Sequence, residues 1–123
     1  TRDKNLWPMR GKTGVVRLSL MTGVPVYPCA SWGPEKVLPP YGKIPKLFPR
    51  TKVSIRVGEP IDFAKWKGRE SDPHALDEAT DFLMDKITEL LEAIRGEKAP
   101  ATRFDPKNSD LPRIGNFKKV KKP

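Results

Sequence analysis

The sequence contains one histidine, His74, so any histidine-based catalysis within the chain would have to use this residue. It lies three residues before Asp77, and side chains at this spacing are neighbours on a helix and can form a hydrogen bond. A charged imidazole at the start of a helix is disfavoured by the positive end of the helix dipole. We therefore interpret His74 as a surface residue. The sequence offers no second histidine and no cluster of cysteines for a metal site.

Three basic residues, Arg2, Arg10 and Lys12, precede the start of a predicted helix. Free backbone amides and the helix dipole favour an anion at such a position, so one interpretation is a phosphate-binding site. The other interpretation, ordinary solvated charges, stays open on residue types alone. A nucleotide-binding P-loop is excluded, because its pattern requires a glycine where Leu6 stands and a strand before the helix instead of after it.

The elements that would position these residues begin with a short helix. Thr13 is a suitable N-cap, most of the apolar residues that follow lie on one side, and Gly23 would end the helix. Residues 24–30 are apolar almost throughout, which is typical of a strand that is covered on both faces in a mostly parallel sheet. Pro25 and Pro28 lack amide donors, so they favour a position toward the sheet edge.

The chain continues with a loop, a second strand and a long helix. Residues 31–52 are rich in proline and basic side chains, whereas residues 53–57 alternate between apolar and polar side chains as a half-buried strand does. Asp72, a good N-cap followed by proline, begins a regular apolar stripe that continues to Gly96. The opposite, acidic face of this helix is predicted to be solvated, with a docking surface as the alternative.

The 123 residues carry a net charge of +9, which favours an anionic partner such as nucleic acid, an acidic membrane surface or a phosphorylated substrate. The basic segments lack interleaved aromatic residues and a basic recognition helix, yet charge alone leaves nucleic acid and membrane equal. Residues 97–123 hold eight basic side chains and three acids without apolar periodicity, so we predict a disordered tail. The single cysteine, Cys29, is predicted to be buried and inert. Neither a membrane-spanning apolar run nor a signal peptide is present.

Several segments, in order and spacing, resemble the lysophospholipid acyltransferases of bacterial phospholipid synthesis, and among these the PlsC-type 1-acyl-glycerol-3-phosphate acyltransferases. The most specific is Gly-Val-Pro-Val-Tyr-Pro-Cys-Ala at residues 23–30. The others are Thr-Arg-Asp at 1–3, Leu-Trp-Pro-Met at 6–9, Arg-Gly-Lys-Thr-Gly at 10–14, the stretch 32–41, and Val-Gly-Glu-Pro-Ile-Asp at 57–62. The resemblance covers about residues 1–95.

The resemblance implies an α/β fold, with residues 1–96 as the C-terminal part of an acyltransferase domain that has a mostly parallel sheet flanked by helices, and residues 97–123 as a basic tail. It implies transfer of an acyl group from acyl-CoA or acyl carrier protein to 1-acyl-glycerol-3-phosphate, with no cofactor. The expected partners are these lipid and acyl thioester substrates, acyl carrier protein as a donor, and the anionic cytoplasmic face of the cell membrane, where the protein would be peripheral. Nucleic acid is not expected as a partner.

Of the family's motifs only the Val-Pro-Val-x-Pro block is intact in this sequence. The motifs His-x-x-x-x-Asp and Glu-Gly-Thr and a central arginine-containing block are missing. The fifth residue after His74 is Ala79, so the catalytic dyad is not here, and Thr1 and Arg2 resemble the residues that directly follow Glu-Gly-Thr. In the family the histidine acts as general base on the glycerol hydroxyl and the aspartate orients it. The catalytic residues are therefore expected upstream of Thr1, and the 123 residues alone are expected to be inactive.

The resemblance also implies roles for residues that are present. Arg2 matches a contact to the acceptor phosphate, with Lys12 as a second contact. A group of apolar residues matches the block that shapes the floor and wall of the site: Val24, Pro25, Val26 and Pro28. The alternative function, from another class, is a non-catalytic basic module that binds anionic lipid or nucleic acid.

Overall fold

The longest helix organises the structure, a computed structural model that describes residues 3–39 and 42–108. The elements in chain order are α1 (Gly14–Thr22), β1 (Cys29–Trp32), α2 (Pro34–Val37), β2 (Ser54–Val57) and α3 (Pro73–Arg95), with single 3-10 turns at Ala64–Trp66 and Pro106–Asn108. The two strands and α1 pack against α3. The central element of the described residues is thus this helix.

The bounds of α3 follow from local signals in the sequence. The side chain of Asp72 accepts a hydrogen bond of 2.9 Å from the His74 amide, and Pro73 occupies the first turn, where a missing amide costs nothing. Gly96 ends the helix in the left-handed conformation, at φ 69°, and its amide donates to the carbonyl of Glu92. The predicted helix is confirmed, as is the helix predicted between Thr13 and Gly23.

Two apolar clusters hold the elements to α3. The first lies along the N-terminal half of α3, where α1 and the turn at Ala64–Trp66 contribute side chains; its buried members are Val16, Phe63, Trp66, Ala75, Leu76, Ala79 and Leu83. The second lies against the C-terminal half, where β1 packs; its buried members are Trp7, Ala30 and Leu91. Burial of these apolar side chains supplies the main driving force for folding.

The predicted mostly parallel sheet is wrong. The described residues contain one sheet, in which β1 and β2 run antiparallel, with Cys29 opposite Val57 and Trp32 opposite Ser54. A parallel pair needs a crossover connection that usually includes a substantial helix, whereas β1 and β2 are joined by a proline-rich segment whose helix, α2, is a single turn. The predicted α/β class is therefore wrong as well: the described residues form a helix-rich fold with one two-stranded antiparallel sheet.

The strand predicted at residues 24–30 is also wrong in its bounds and burial. Regular strand structure starts at Cys29, and before it Val26 makes only an isolated bridge with Ile61. Pro25 and Pro28 have no amide hydrogen, so a continuous ladder cannot form through them. Cys29 is exposed, contrary to the prediction of a buried thiol.

The segment 97–108 differs from the predicted disordered tail. The amide of Arg10 donates a hydrogen bond of 2.8 Å to the carbonyl of Phe104, and the amide of Ala99 donates one of 2.8 Å to the side chain of Glu92. These bonds hold the described part of the segment against α3 and the N-terminal region. Residues 109–123 lie outside the described residues. Every helix in the described part of the chain is too short or too polar to serve as a transmembrane span.

Candidate functional site

The predicted wall of the site is joined by its backbone to a segment about thirty residues away in the sequence. The carbonyl of Val26 accepts a hydrogen bond of 2.8 Å from the amide of Ile61, and the carbonyl of Pro28 accepts one of 2.8 Å from the amide of Gly58. Pro28 has no amide hydrogen but keeps its carbonyl, so at this position the segment can pair only as an acceptor. Two of the segments that carry the family resemblance are thus in direct contact.

The exposed side of this wall is formed by its first residues. The hydroxyl of Ser19 on α1 donates a hydrogen bond of 2.7 Å to the carbonyl of Val24, which fixes the turn after the helix. The side chains of Val24 and Pro25 are exposed, Val26 packs against the first apolar cluster, and Pro28 is buried. The wall therefore has an accessible apolar surface at Val24 and Pro25 and a buried anchor at its far end.

The predicted phosphate contacts are only partly described. Arg2 lies outside the described residues. Lys12 is exposed and comes two residues before the first residue of α1, where the positive end of that helix dipole adds to its charge. Within the described residues Lys12 has no carboxylate within ion-pair distance, so its ammonium group is accessible to an anion.

Arg10, which the sequence groups with Arg2 and Lys12, has a structural role instead. Its guanidinium group lies 3.3 Å from the carboxylate of Asp77 on α3 and 3.1 Å from that of Asp105. The hydrogen bond and charge of Asp105, together with the charge of Asp77, raise the pKa of Arg10 above its ordinary value. Two carboxylates neutralise the charge of this arginine, so its guanidinium group is less available to an anion than the ammonium group of Lys12.

The acidic face of α3 binds basic side chains of the same chain. Arg103 contacts both Asp81, at 3.2 Å, and Asp85. Lys98 lies 3.0 Å from Glu92. The amide of Ala99, and then Lys98, lower the pKa of the Glu92 carboxyl below its ordinary value. Sequence reasoning predicted a solvated face and missed these contacts; the complementary charges of α3 and of residues 97–108 were the available signal.

The outer face of the sheet is apolar and open. Ala30 and Trp32 of β1 join the cluster on α3, so the alternate side chains of the sheet point away from that helix. On this outer face Ile55 and Val57 are 65% and 63% exposed. The strand predicted at residues 53–57 is confirmed at Ser54–Val57, but the predicted burial of its apolar side is wrong, because Ile55 and Val57 are mostly exposed.

A shallow depression of about 560 Å³ beside α1 is lined by Arg17, Leu20, Met21, Glu70 and Ser71, and none of the predicted site residues contributes to it. His74 is exposed on the surface. Within residues 3–39 and 42–108, histidine, cysteine and acidic side chains do not come together in a group of three that could hold a metal ion.

Comparison of the chain with known protein families, with curated proteins and with solved structures finds no match.

Proposed function

We propose that this chain is the C-terminal part of an acyltransferase of phospholipid synthesis, which transfers an acyl group from acyl-CoA or acyl carrier protein to 1-acyl-glycerol-3-phosphate. The observation that carries the proposal is the contact between residues 24–28 and 58–61. These segments hold two of the motifs that resemble the family, and backbone hydrogen bonds from Ile61 and Gly58 join them. Motifs that form one site are expected to meet in space, and these two do.

The open outer face of the sheet also supports the proposal. Ile55 and Val57 present apolar surface that a folded enzyme normally covers. The proposed acyltransferase places the catalytic dyad in residues that are not part of these 123. Such residues would cover this face, and they would bring the general base to the accessible side of the wall at Val24 and Pro25.

In the proposed enzyme, the residues of this chain bind and orient the acceptor. Lys12, near the positive end of α1, and Arg2 would hold the phosphate of the acceptor through charge-assisted hydrogen bonds. The wall at Val24 and Pro25 would limit the position of the glycerol backbone, so that its free hydroxyl faces the general base. The location is the cytoplasmic face of the cell membrane, where the lipid acceptor resides, as a peripheral protein.

The first experiment compares acyl transfer by the 123-residue chain with transfer by a chain extended by the residues encoded upstream of Thr1. The acceptor is 1-acyl-glycerol-3-phosphate, and acyl-CoA and acyl carrier protein are tested as separate donors. We expect turnover from the extended chain and none from the 123 residues. Equal turnover from both chains would refute the assignment of the dyad to upstream residues, and no turnover from either would refute the enzyme.

The second experiment tests the phosphate contacts in the extended chain. The substitutions Arg2→Ala and Lys12→Ala are expected to lower kcat/KM for the acceptor by roughly ten- to hundredfold each, since a hydrogen bond to a charged group contributes about 1.5–3 kcal/mol. The matched control is Lys67→Ala, which removes an exposed lysine far from the wall in sequence. Equal kinetics for Lys12→Ala and this control would remove Lys12 from the site.

A further inference from the structure

Some described basic side chains form ion pairs and others do not, and in one stretch, residues 36–56, every basic side chain belongs to the second kind. Outside residues 36–56, most of the contacts between basic and acidic side chains involve α3 or the segment next to it, as for Arg10, Lys65 and Arg103. Inside residues 36–56 there is no acidic residue at all. Among the described residues no carboxylate lies within ion-pair distance of the six basic side chains of this stretch: Lys36, Lys43, Lys46, Arg50, Lys52 and Arg56.

The same stretch exposes large apolar side chains at its tip. Ile44, Leu47 and Phe48 are 81%, 65% and 85% exposed, and none of them belongs to either apolar cluster. The described residues from 42 to 50 are all exposed. The tip is nevertheless anchored, because the amide of Lys46 donates a hydrogen bond of 2.7 Å to the carbonyl of Val37 at the end of α2.

The order of residues along the tip places a cation beside each apolar side chain. Lys43 precedes Ile44, Lys46 precedes Leu47, and Arg50 follows shortly after Phe48. An anionic bilayer matches both components, since its phosphate groups attract the cations while the boundary with the acyl chains accepts the apolar side chains. A nucleic acid would engage the cations and leave the two aliphatic side chains in water. Charge alone does not separate the two partners, and the exposed apolar side chains beside the cations favour a lipid surface.

We propose that residues 42–50 form the membrane-docking tip of this protein: Ile44, Leu47 and Phe48 enter the interfacial layer of an anionic phospholipid bilayer, and the neighbouring cations contact its phosphate groups. This proposal names the residues that contact the membrane in the proposed function, and it rests on that function for the choice of membrane. It does not depend on acyl transfer. A test of binding without turnover can therefore fail while the acyltransferase assay, run with a water-soluble short-chain acceptor, succeeds.

The test is sedimentation of the 123-residue chain with vesicles of phosphatidylcholine alone or mixed with phosphatidylglycerol. The unsubstituted chain should bind the anionic vesicles and bind pure phosphatidylcholine much more weakly. The triple variant Ile44→Gln, Leu47→Gln, Phe48→Gln should lose at least about tenfold in binding to anionic vesicles. Its control, Leu18→Gln with Met21→Gln, changes exposed apolar residues of α1 and should bind as the unsubstituted chain does.

The cations are tested in the same way. The variant Lys43→Gln, Lys46→Gln, Arg50→Gln should lose about a hundredfold in binding, because each cation near an anionic surface contributes about a factor of five. The control removes three exposed cations elsewhere: Lys4→Gln, Arg17→Gln, Lys67→Gln. A smaller but distinct loss is expected for the control, since it lowers net charge without touching the tip. Equal losses for the two variants would overturn the docking of the tip.

Insertion is measured directly with Phe48→Trp and lipids that carry bromine on their acyl chains. Quenching of fluorescence beyond that of the unsubstituted chain is expected, because the new indole would lie near the acyl boundary. No additional quenching would overturn insertion. Two other results would also overturn the proposal. If the tip variants lose binding to duplex DNA or RNA and keep binding to vesicles, the tip binds nucleic acid. If the apolar variant abolishes a dimer and keeps binding to vesicles, the tip binds a second copy of the chain.

Discussion

Arg95 connects the N-terminal segment to the end of α3, so its removal should destabilise the region that leads to Lys12. Its guanidinium carbon lies 3.9 Å from the ring centre of Trp7 and 4.2 Å from that of Trp32, and its side chain is only 10% exposed. One terminal nitrogen donates a hydrogen bond of 2.9 Å to the carbonyl of Asn5. This single side chain therefore joins the N-terminal segment, the sheet and the helix.

The expected cost of Arg95→Ala follows from these contacts. Each stacked ring contributes about 0.5–2 kcal/mol, and the charge-assisted bond to the Asn5 carbonyl about 1.5–3 kcal/mol. The buried Nε atom of Arg95 has no partner among the described residues, and relief of this orphaned donor would return about 1–3 kcal/mol. The ion pair with Glu97 is mostly exposed on the acid side and adds little. We expect a net loss of about 3 kcal/mol in the free energy of unfolding.

The assay is urea denaturation followed by tryptophan fluorescence and by circular dichroism. The fluorescence of Trp7 and Trp32 reports on the surroundings of Arg95, whereas the fluorescence of Trp66 reports on the other apolar cluster. The control is Lys86→Ala, which removes a more exposed cation and ring contact from the same helix and should cost less than about 1 kcal/mol. A free energy of unfolding for Arg95→Ala within about 0.5 kcal/mol of the unsubstituted chain would refute the reasoning.

Two further predictions concern a glycine and acid pH. Gly33→Ala should lower the free energy of unfolding by more than about 2 kcal/mol in the same assay, because φ is 115° and a Cβ atom would lie 2.3 Å from a backbone carbonyl oxygen. The control is Gly68→Ala, at a glycine where a Cβ atom would meet open space, and a loss of similar size in the two variants would contradict this prediction. In the folded chain the pKa of the Asp105 carboxyl lies below its unfolded value, chiefly because the amide of Lys107 and then the guanidinium of Arg10 donate hydrogen bonds to it. The contribution of Asp105 to the free energy of unfolding is therefore complete above about pH 4 and is lost as the pH falls through the folded-state pKa. The urea midpoint should therefore fall on acidification, and less so in Asp105→Asn; identical pH profiles for the two proteins would exclude this contribution.

Parts of the candidate site could be predicted from the sequence and parts could not. The exposure of Lys12 ahead of α1 agrees with its position before a predicted helix start. The ion pair of Arg10 could not be predicted from the sequence, because its partner Asp105 is distant in the sequence. Only the folded chain brings the two side chains to 3.1 Å. The backbone partners of residues 24–28 could not be predicted from the sequence either. A segment that is interrupted by prolines lacks the regular strand pattern from which pairing with another segment is inferred.

The sequence by itself determined α1, β2 and α3, because the signals for them act within a few residues. An N-cap such as Asp72 and a left-handed glycine such as Gly96 satisfy backbone groups of the adjacent turn, and apolar periodicity needs no knowledge of the partner. Tertiary structure alone decided that the strands pair antiparallel, that the apolar side of β2 stays open, and that residues 97–108 bind the acidic face of α3. These outcomes depend on contacts between distant residues, where many pairings satisfy the same local pattern and the packed core selects one.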